Sequence, residues 1–170
     1  MNFSELLVCA CCKNKLNNKN ICSNSLCSKY KTPPIFINNK LVAIDFDNFV
    51  HSQQSFLKYQ NDNNKERTRP FFWNFFKSII DGKSSIRKNN INKISSELAE
   101  FKNPSILIIG GGTIGTGLEE FYKLYKNRIV SFDIYFSKNI DIFADAHSIP
   151  FLNDSFDLVI VQAVLEHVLF

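Results

Sequence analysis

The sequence predicts an α/β chain built on a parallel sheet, and three observations carry that expectation. Apolar runs at residues 105–109, 129–132, 141–144 and 156–161 have the length of buried strands. The first of them meets a glycine cluster, Gly110-Gly111-Gly112, where such a strand would hand over to a helix. Ahead of it, Ile86, Ile91, Ile94, Leu98 and Phe101 fall near helical spacing and stop before Asn103-Pro104, which predicts an amphipathic helix covering the sheet.

Composition bounds the rest. With 170 residues, 45% of them hydrophobic, and 17 Phe, the chain has ample material for a core and is not a disordered protein. Its net charge of +4 is spread through Asn-rich stretches at 14–20 and 83–93. Nucleic-acid binding calls for a denser basic stripe, so no such interface is expected. No run approaches 18 apolar residues and the N-terminus lacks the basic start of a signal peptide, so the expectation is a cytoplasmic chain without a membrane span. Three parts follow: 1–45, rich in cysteine; 46–103, a polar linker and amphipathic helices; and 104–170, the sheet. Residues 51–66 read as linker with little to bury, and the aromatic run Pro70-Phe71-Phe72-Trp73-Asn74-Phe75-Phe76 as part of a helix packed on the main domain.

The glycine cluster points to a cofactor carrying adenosine. Without Cβ atoms, Gly110 and Gly112 can take positive φ and admit a nucleoside close to the main chain, while free N–H groups of the following helix face it. Gly110-x-Gly112-x-x-Gly115, with Asp133 about 20 residues on, also satisfies the dinucleotide fingerprint, which keeps a nicotinamide-binding domain open as an alternative.

Downstream stand Asp141-Ile142-Phe143-Ala144-Asp145-Ala146-His147-Ser148-Ile149-Pro150-Phe151 and Asp154-Ser155-Phe156-Asp157-Leu158-Val159-Ile160-Val161-Gln162, followed by Leu165-Glu166-His167-Val168. Together with the glycine cluster they resemble class I S-adenosylmethionine-dependent methyltransferases over residues 106–168. The resemblance implies the N-terminal half of a Rossmann-like sheet. In it Gly110, Gly111 and Gly112 would wrap the methionine and ribose of S-adenosylmethionine, Asp133 would hold the ribose diol, Asp145 and Ala146 would read adenine, and Gln162 would stand at the mouth of the site. No side chain is marked as catalytic; Glu166 and His167 would be structural or line the cofactor's rim, on a helix after the fourth strand. Asp157 reads as a turn or cap residue.

The chain departs from the family at several points. Ile108 replaces the acid common in the first strand, and Thr113-Ile114-Gly115-Thr116-Gly117 spaces its glycines more widely than the usual turn. Only seven residues, 134–140, link the second and third runs. A parallel crossover normally needs about a dozen, so this link is expected to be a loop. Four strand candidates stand where the family has seven, which leads us to expect a truncated methyltransferase whose fourth strand has an unpaired far side and self-associates. The methyl acceptor is not encoded in any visible motif, a small molecule being favoured. The alternatives are a zinc-dependent interaction module with a vestigial cofactor half, and a complete small domain that dimerises over that edge.

Five cysteines lie near the N-terminus, as Cys9-x2-Cys12, Cys22-x4-Cys27 and the odd Cys11. Thiolates on two such knuckles can close a tetrahedron around Zn²⁺, whose coordination supplies folding energy to a short segment. Paired disulfides and a ribbon without metal are the competing readings. With Leu6-Leu7-Val8 before them and Pro33-Pro34-Ile35-Phe36 after, Cys9, Cys12, Cys22 and Cys27 resemble the zinc-ribbon module found ahead of some bacterial methyltransferases.

Overall fold

The computed structural model describes residues 3–62, 85–115, 117–162 and 164–168. The aromatic run at 70–80 lies outside the described residues. Six strands form one sheet: β1 (Ile35–Ile37), β2 (Lys40–Ala43), β3 (Ile106–Ile109), β4 (Ile129–Asp133), β5 (Ile142–Ala144) and β6 (Leu158–Val161), in the order β1-β2-β5-β4-β3-β6. Only β1 and β2 pair antiparallel; every other neighbouring pair is parallel. The fold is therefore α/β, as expected.

The predicted strands form, with trimmed starts at β3, β5 and β6. The continuous apolar sequence of β3 and β5 reflects burial on both sides, all four residues of β3 and all three of β5 being buried, whereas β6 is exposed at alternate residues. Ser105 and Asp157 precede β3 and β6 and tie the two starts together, the Asp157 carboxylate accepting from Ser105 N and Oγ, both at 2.7 Å. Asp157 is thus the cap residue its position suggested.

Register decides what each face meets. Leu107, Ile109, Val130, Phe132, Ile142 and Ala144 share one face, against which Leu7 and Phe151 pack, with Phe3 and Leu6 at the margin. The opposite face is covered by three helices: α1 (Gln53–Asp62), α2 (Ser85–Leu98) and α3 (Glu119–Leu124). Leu98 of α2 and Phe121 of α3 pack on Ile106, Ile108 and Ile129, with Ile91 and Ile94 alongside. The amphipathic helix expected there is present, but it ends at Leu98, leaving Phe101 47% exposed beyond it; the side chain of Ile86 lies outside the described set.

Two features depart from the sequence reading. Residues 51–66, read as a linker with little to bury, carry α1. Its Phe56 is buried edge-on against Phe143 at 5.9 Å between centroids, and its Gln60 is 1% exposed. The Gln60 amide donates to Ile134 O at 2.8 Å and accepts from Phe136 N at 3.1 Å. The cause lies in the short link at 134–140, which forms no helix. It leaves Phe143 of β5 uncovered, and α1 supplies the cover from earlier in the chain. Secondly, β1 and β2 extend the same sheet, with Val42 opposite Phe143 and Ala43 opposite Ala144, so the cysteine-rich part shares its hydrogen-bonded sheet with the strands of 104–170.

At the other end, β6 pairs with β3 alone among the described residues. By register Val159 and Val161 share the face of Leu107 and Ile109, yet they remain 48% and 39% exposed. No helix among the described residues is long and apolar enough to cross a membrane.

Candidate functional site

Two places gather the residues singled out above. The first is the cysteine cluster. Cys9 to Lys13 form a turn closed by Lys13 N to Cys9 O at 2.9 Å and Cys9 N to Asn14 O at 2.8 Å, and Cys27 stands in a second turn, its N–H donating to Asn24 O at 3.0 Å. Facing each other, the turns bring the sulfurs of Cys9, Cys12, Cys22 and Cys27 within 4.8 Å of one another. Cys9 and Cys27 are 3.9 Å apart, and Cys12 and Cys22 3.6 Å. Sulfurs at about 2.3 Å from a tetrahedral ion would be spaced by about 3.8 Å, so these four thiols could hold a metal ion.

Cys11 packs beside this cluster without being one of the four, its sulfur 3.5 Å from Ser28 Oγ. None of the five cysteines is in a disulfide. Burial pushes the Cys22 and Cys27 thiols up. Burial also acts upward on Cys12, but hydrogen bonds from Asn14 and then from Cys27 and Asn24 outweigh it and bring that thiol to about 6. The Asn14 amide lies 3.5 Å from Cys12 Sγ, and Lys29 N donates to Cys27 Sγ at 3.4 Å. Such N–H donors favour sulfur as thiolate, the form that ligates metal.

The second place is the carboxyl edge of the parallel strands. Gly110 follows β3, Asp133 ends β4, Asp145-Ala146 follows β5 and Gln162 follows β6; in the sheet they run in the order Asp145, Asp133, Gly110, Gln162, each strand end beside the next. This is the edge at which open parallel sheets receive ligands. Asp133 Oδ2 accepts from Gly112 N at 3.0 Å, and its Oδ1 from Tyr135 N at 3.1 Å. Gln162 accepts from Gly115 N at 3.0 Å and donates to Tyr122 Oη at 3.2 Å; burial raises the Tyr122 phenol above its ordinary value. Asp145 Oδ1 accepts from His147 N at 3.1 Å and lies 2.7 Å from His147 Nδ1. Its other oxygen accepts nothing among the described residues, although Asp145 is 9% exposed.

The glycine loop differs from expectation in two respects. Positive φ occurs at Gly110 (77°) and at Gly117 (90°) and not at Gly112. Gly112 is required for another reason: a Cβ there would stand 2.6 Å from Asp133 Oδ2. At Gly110 a Cβ would meet Gln162 O at 2.3 Å. The loop's N–H groups are also occupied within the protein, those of Gly110 and Gly111 by Phe132 O at 3.0 Å each, rather than facing outward from a helix. Ile108, standing in place of an acid, is fully buried under α2 and α3. Glu166 and His167 fall in a short 3₁₀ turn, Leu165–His167, instead of a longer helix.

The sequence reading missed His147 as partner of Asp145, Tyr122 as partner of Gln162, and the wall that α1 adds to this edge. Phe49, His51, Phe56, Tyr59, Ile134 and Tyr135 line a cavity of about 290 Å³ that begins one residue beyond Asp133. The aromatic residues of 46–59 were the available signal, hidden by the polar residues among them. Comparison of the chain with protein-family models, with curated proteins and with solved structures finds no match.

Proposed function

We propose that the chain is a methyltransferase-type module that binds S-adenosylmethionine on a Rossmann-like sheet and is stapled at its N-terminal side by a structural zinc in a ribbon-like site. The observation that carries the cofactor half is the convergence of Gly110–Gly112, Asp133, Asp145 and Gln162 on adjacent strand ends, with one oxygen of the buried Asp145 accepting nothing from the described residues. A carboxylate oxygen left without a donor in a buried position is costly, and an exocyclic amine would satisfy it. Asp133 has two acceptor oxygens, suited to vicinal hydroxyls, and the aromatic cavity beside it gives room for a flat ring.

S-adenosylmethionine would supply an electrophilic methyl group, and the protein's part is to hold it in line with an acceptor and keep water away. To take a ribose, Asp133 must exchange its bond from Gly112 N for the sugar hydroxyls. Zinc is the ion best matched to four thiols with tetrahedral spacing and no vacant position. The favoured acceptor is a small molecule.

One observation favours a second reading, an interaction module whose cofactor half is vestigial. Asp133, Gln162 and the glycine N–H groups already satisfy one another, and protein atoms occupy the space beside the glycines. Calorimetric titration separates the readings. The first expects heat of binding with S-adenosylhomocysteine and none with NAD; heat with neither favours the vestigial reading, and heat with NAD alone favours a nicotinamide site.

A further inference from the structure

We infer that the turn carrying Cys9 and Cys12 is a clamp on residues 145–152, so that filling the four-thiol site fixes the segment that bears Asp145 and Ala146. The inference rests on the metal binding proposed above and not on the identity of the cofactor. Five contacts join the two stretches. Val8 N donates to Pro150 O and Leu152 N to Leu6 O, both at 2.9 Å, which pairs Leu7 with Phe151 in antiparallel fashion. Ser148 Oγ donates to Ala10 O at 2.6 Å, inside the Cys9–Cys12 turn. Lys13 Nζ donates to Ser148 Oγ at 2.7 Å and to Ile149 O at 3.1 Å.

Lys13 is placed by the turn itself. Its φ is 60°, a conformation a lysine adopts only where the surroundings hold it, and here the hold is the bond from its N–H to Cys9 O. Within the segment Ser148 N donates to Asp145 O at 3.0 Å and Asp145 Oδ1 lies 2.7 Å from His147 Nδ1, while Ala146, Ile149 and Phe151 pack on the sheet. The two turns carry their own backbone hydrogen bonds, but they meet at the four thiols, and a short cysteine-rich segment draws much of its order from the metal. Releasing the ion therefore loosens Ala10 and Lys13, and with them their bonds to Ser148 and Ile149.

Hydrogen exchange of the full chain, read by mass spectrometry, tests this without any cofactor. Zinc-loaded chain is compared with chain treated with EDTA, metal content being measured in both. The clamp requires exchange at 145–152 to quicken by about tenfold or more on metal removal while β3 and β4 keep their protection. Lys13→Met combined with Ser148→Ala should reproduce that gain with zinc still bound. Unchanged exchange at 145–152 after verified metal loss overturns the clamp, as does an equal rise through β3 and β4, or an unaltered segment in the double variant. A chain that takes up no zinc at all refutes the metal reading instead.

Discussion

Cys11 and Cys12 are neighbours with opposite assignments. Cys12→Ser should abolish stoichiometric zinc, about one ion per chain, whereas Cys11→Ser should leave it intact, since Cys11 is not one of the four sulfurs gathered within 4.8 Å. Metal analysis of the purified variants decides the matter, and full zinc content in Cys12→Ser would end the assignment. Asp133→Ala should weaken S-adenosylhomocysteine binding by about 1.5–3 kcal/mol in calorimetry, the range for hydrogen bonds to a charged group; an unchanged affinity would place the ribose elsewhere. Spacing alone picked out the four cysteines that gather, because two short knuckles are local. The engagement of Asp133 by Gly112 and of Gln162 by Gly115 was not legible, since it depends on how strands 21 and 47 residues apart in sequence close the loop.

Among the elements, β3 to β6 were readable and α1 was not. Doubly covered strands need unbroken apolar sequence, which stands out. By contrast α1 buries a single aromatic and a glutamine, and nothing in its own composition reveals that the link at 134–140 leaves Phe143 in need of a lid. Gln60→Leu should lower unfolding free energy by about 1–3 kcal/mol, through the unpaired Ile134 carbonyl and Phe136 amide, and Phe56→Ala by about 3–5 kcal/mol; denaturant titration measures both. If neither moves the midpoint, α1 does not cover the sheet. The start of β6 adds a pH signature. Hydrogen bonds from Ser105, first its backbone and then its hydroxyl, hold the Asp157 carboxyl below its ordinary range. A depressed folded value stabilises above the unfolded one, near 3.9, and the contribution fades as pH falls from there through the folded value. Asp157→Asn should therefore lower the melting temperature at neutral pH and close the gap to the parent chain in strong acid.

Among the described residues the sheet has two outer strands, β1 and β6, each with one neighbour. Beyond β3, β6 offers its outer backbone groups together with the exposed Val159 and Val161. Such an edge pairs readily with another chain. Sedimentation should show concentration-dependent association at micromolar protein, reduced by Val159→Lys, which puts a charge on that edge without entering the core; a parent chain that stays monomeric would exclude pairing there. The β6 edge was expected of the fourth strand candidate. The extension through β2 and β1 was not, because β2 is a short stretch whose partner lies far along the chain.

That distant pairing carries a consequence for how the protein is made. Val42 meets Phe143 about 100 residues later, and closing a loop of that length costs about 4 kcal/mol of chain entropy before any contact repays it. On the ribosome the cysteine turns and β2 emerge well before β5, the strand that β2 needs. During that interval the β1–β2 hairpin has no neighbour, and a lone hairpin is barely stable in water. Metal captured by the nascent cysteines would keep it assembled until β5 arrives. Zinc starvation during expression should accordingly reduce yield more than chelation reduces the solubility of chain already folded.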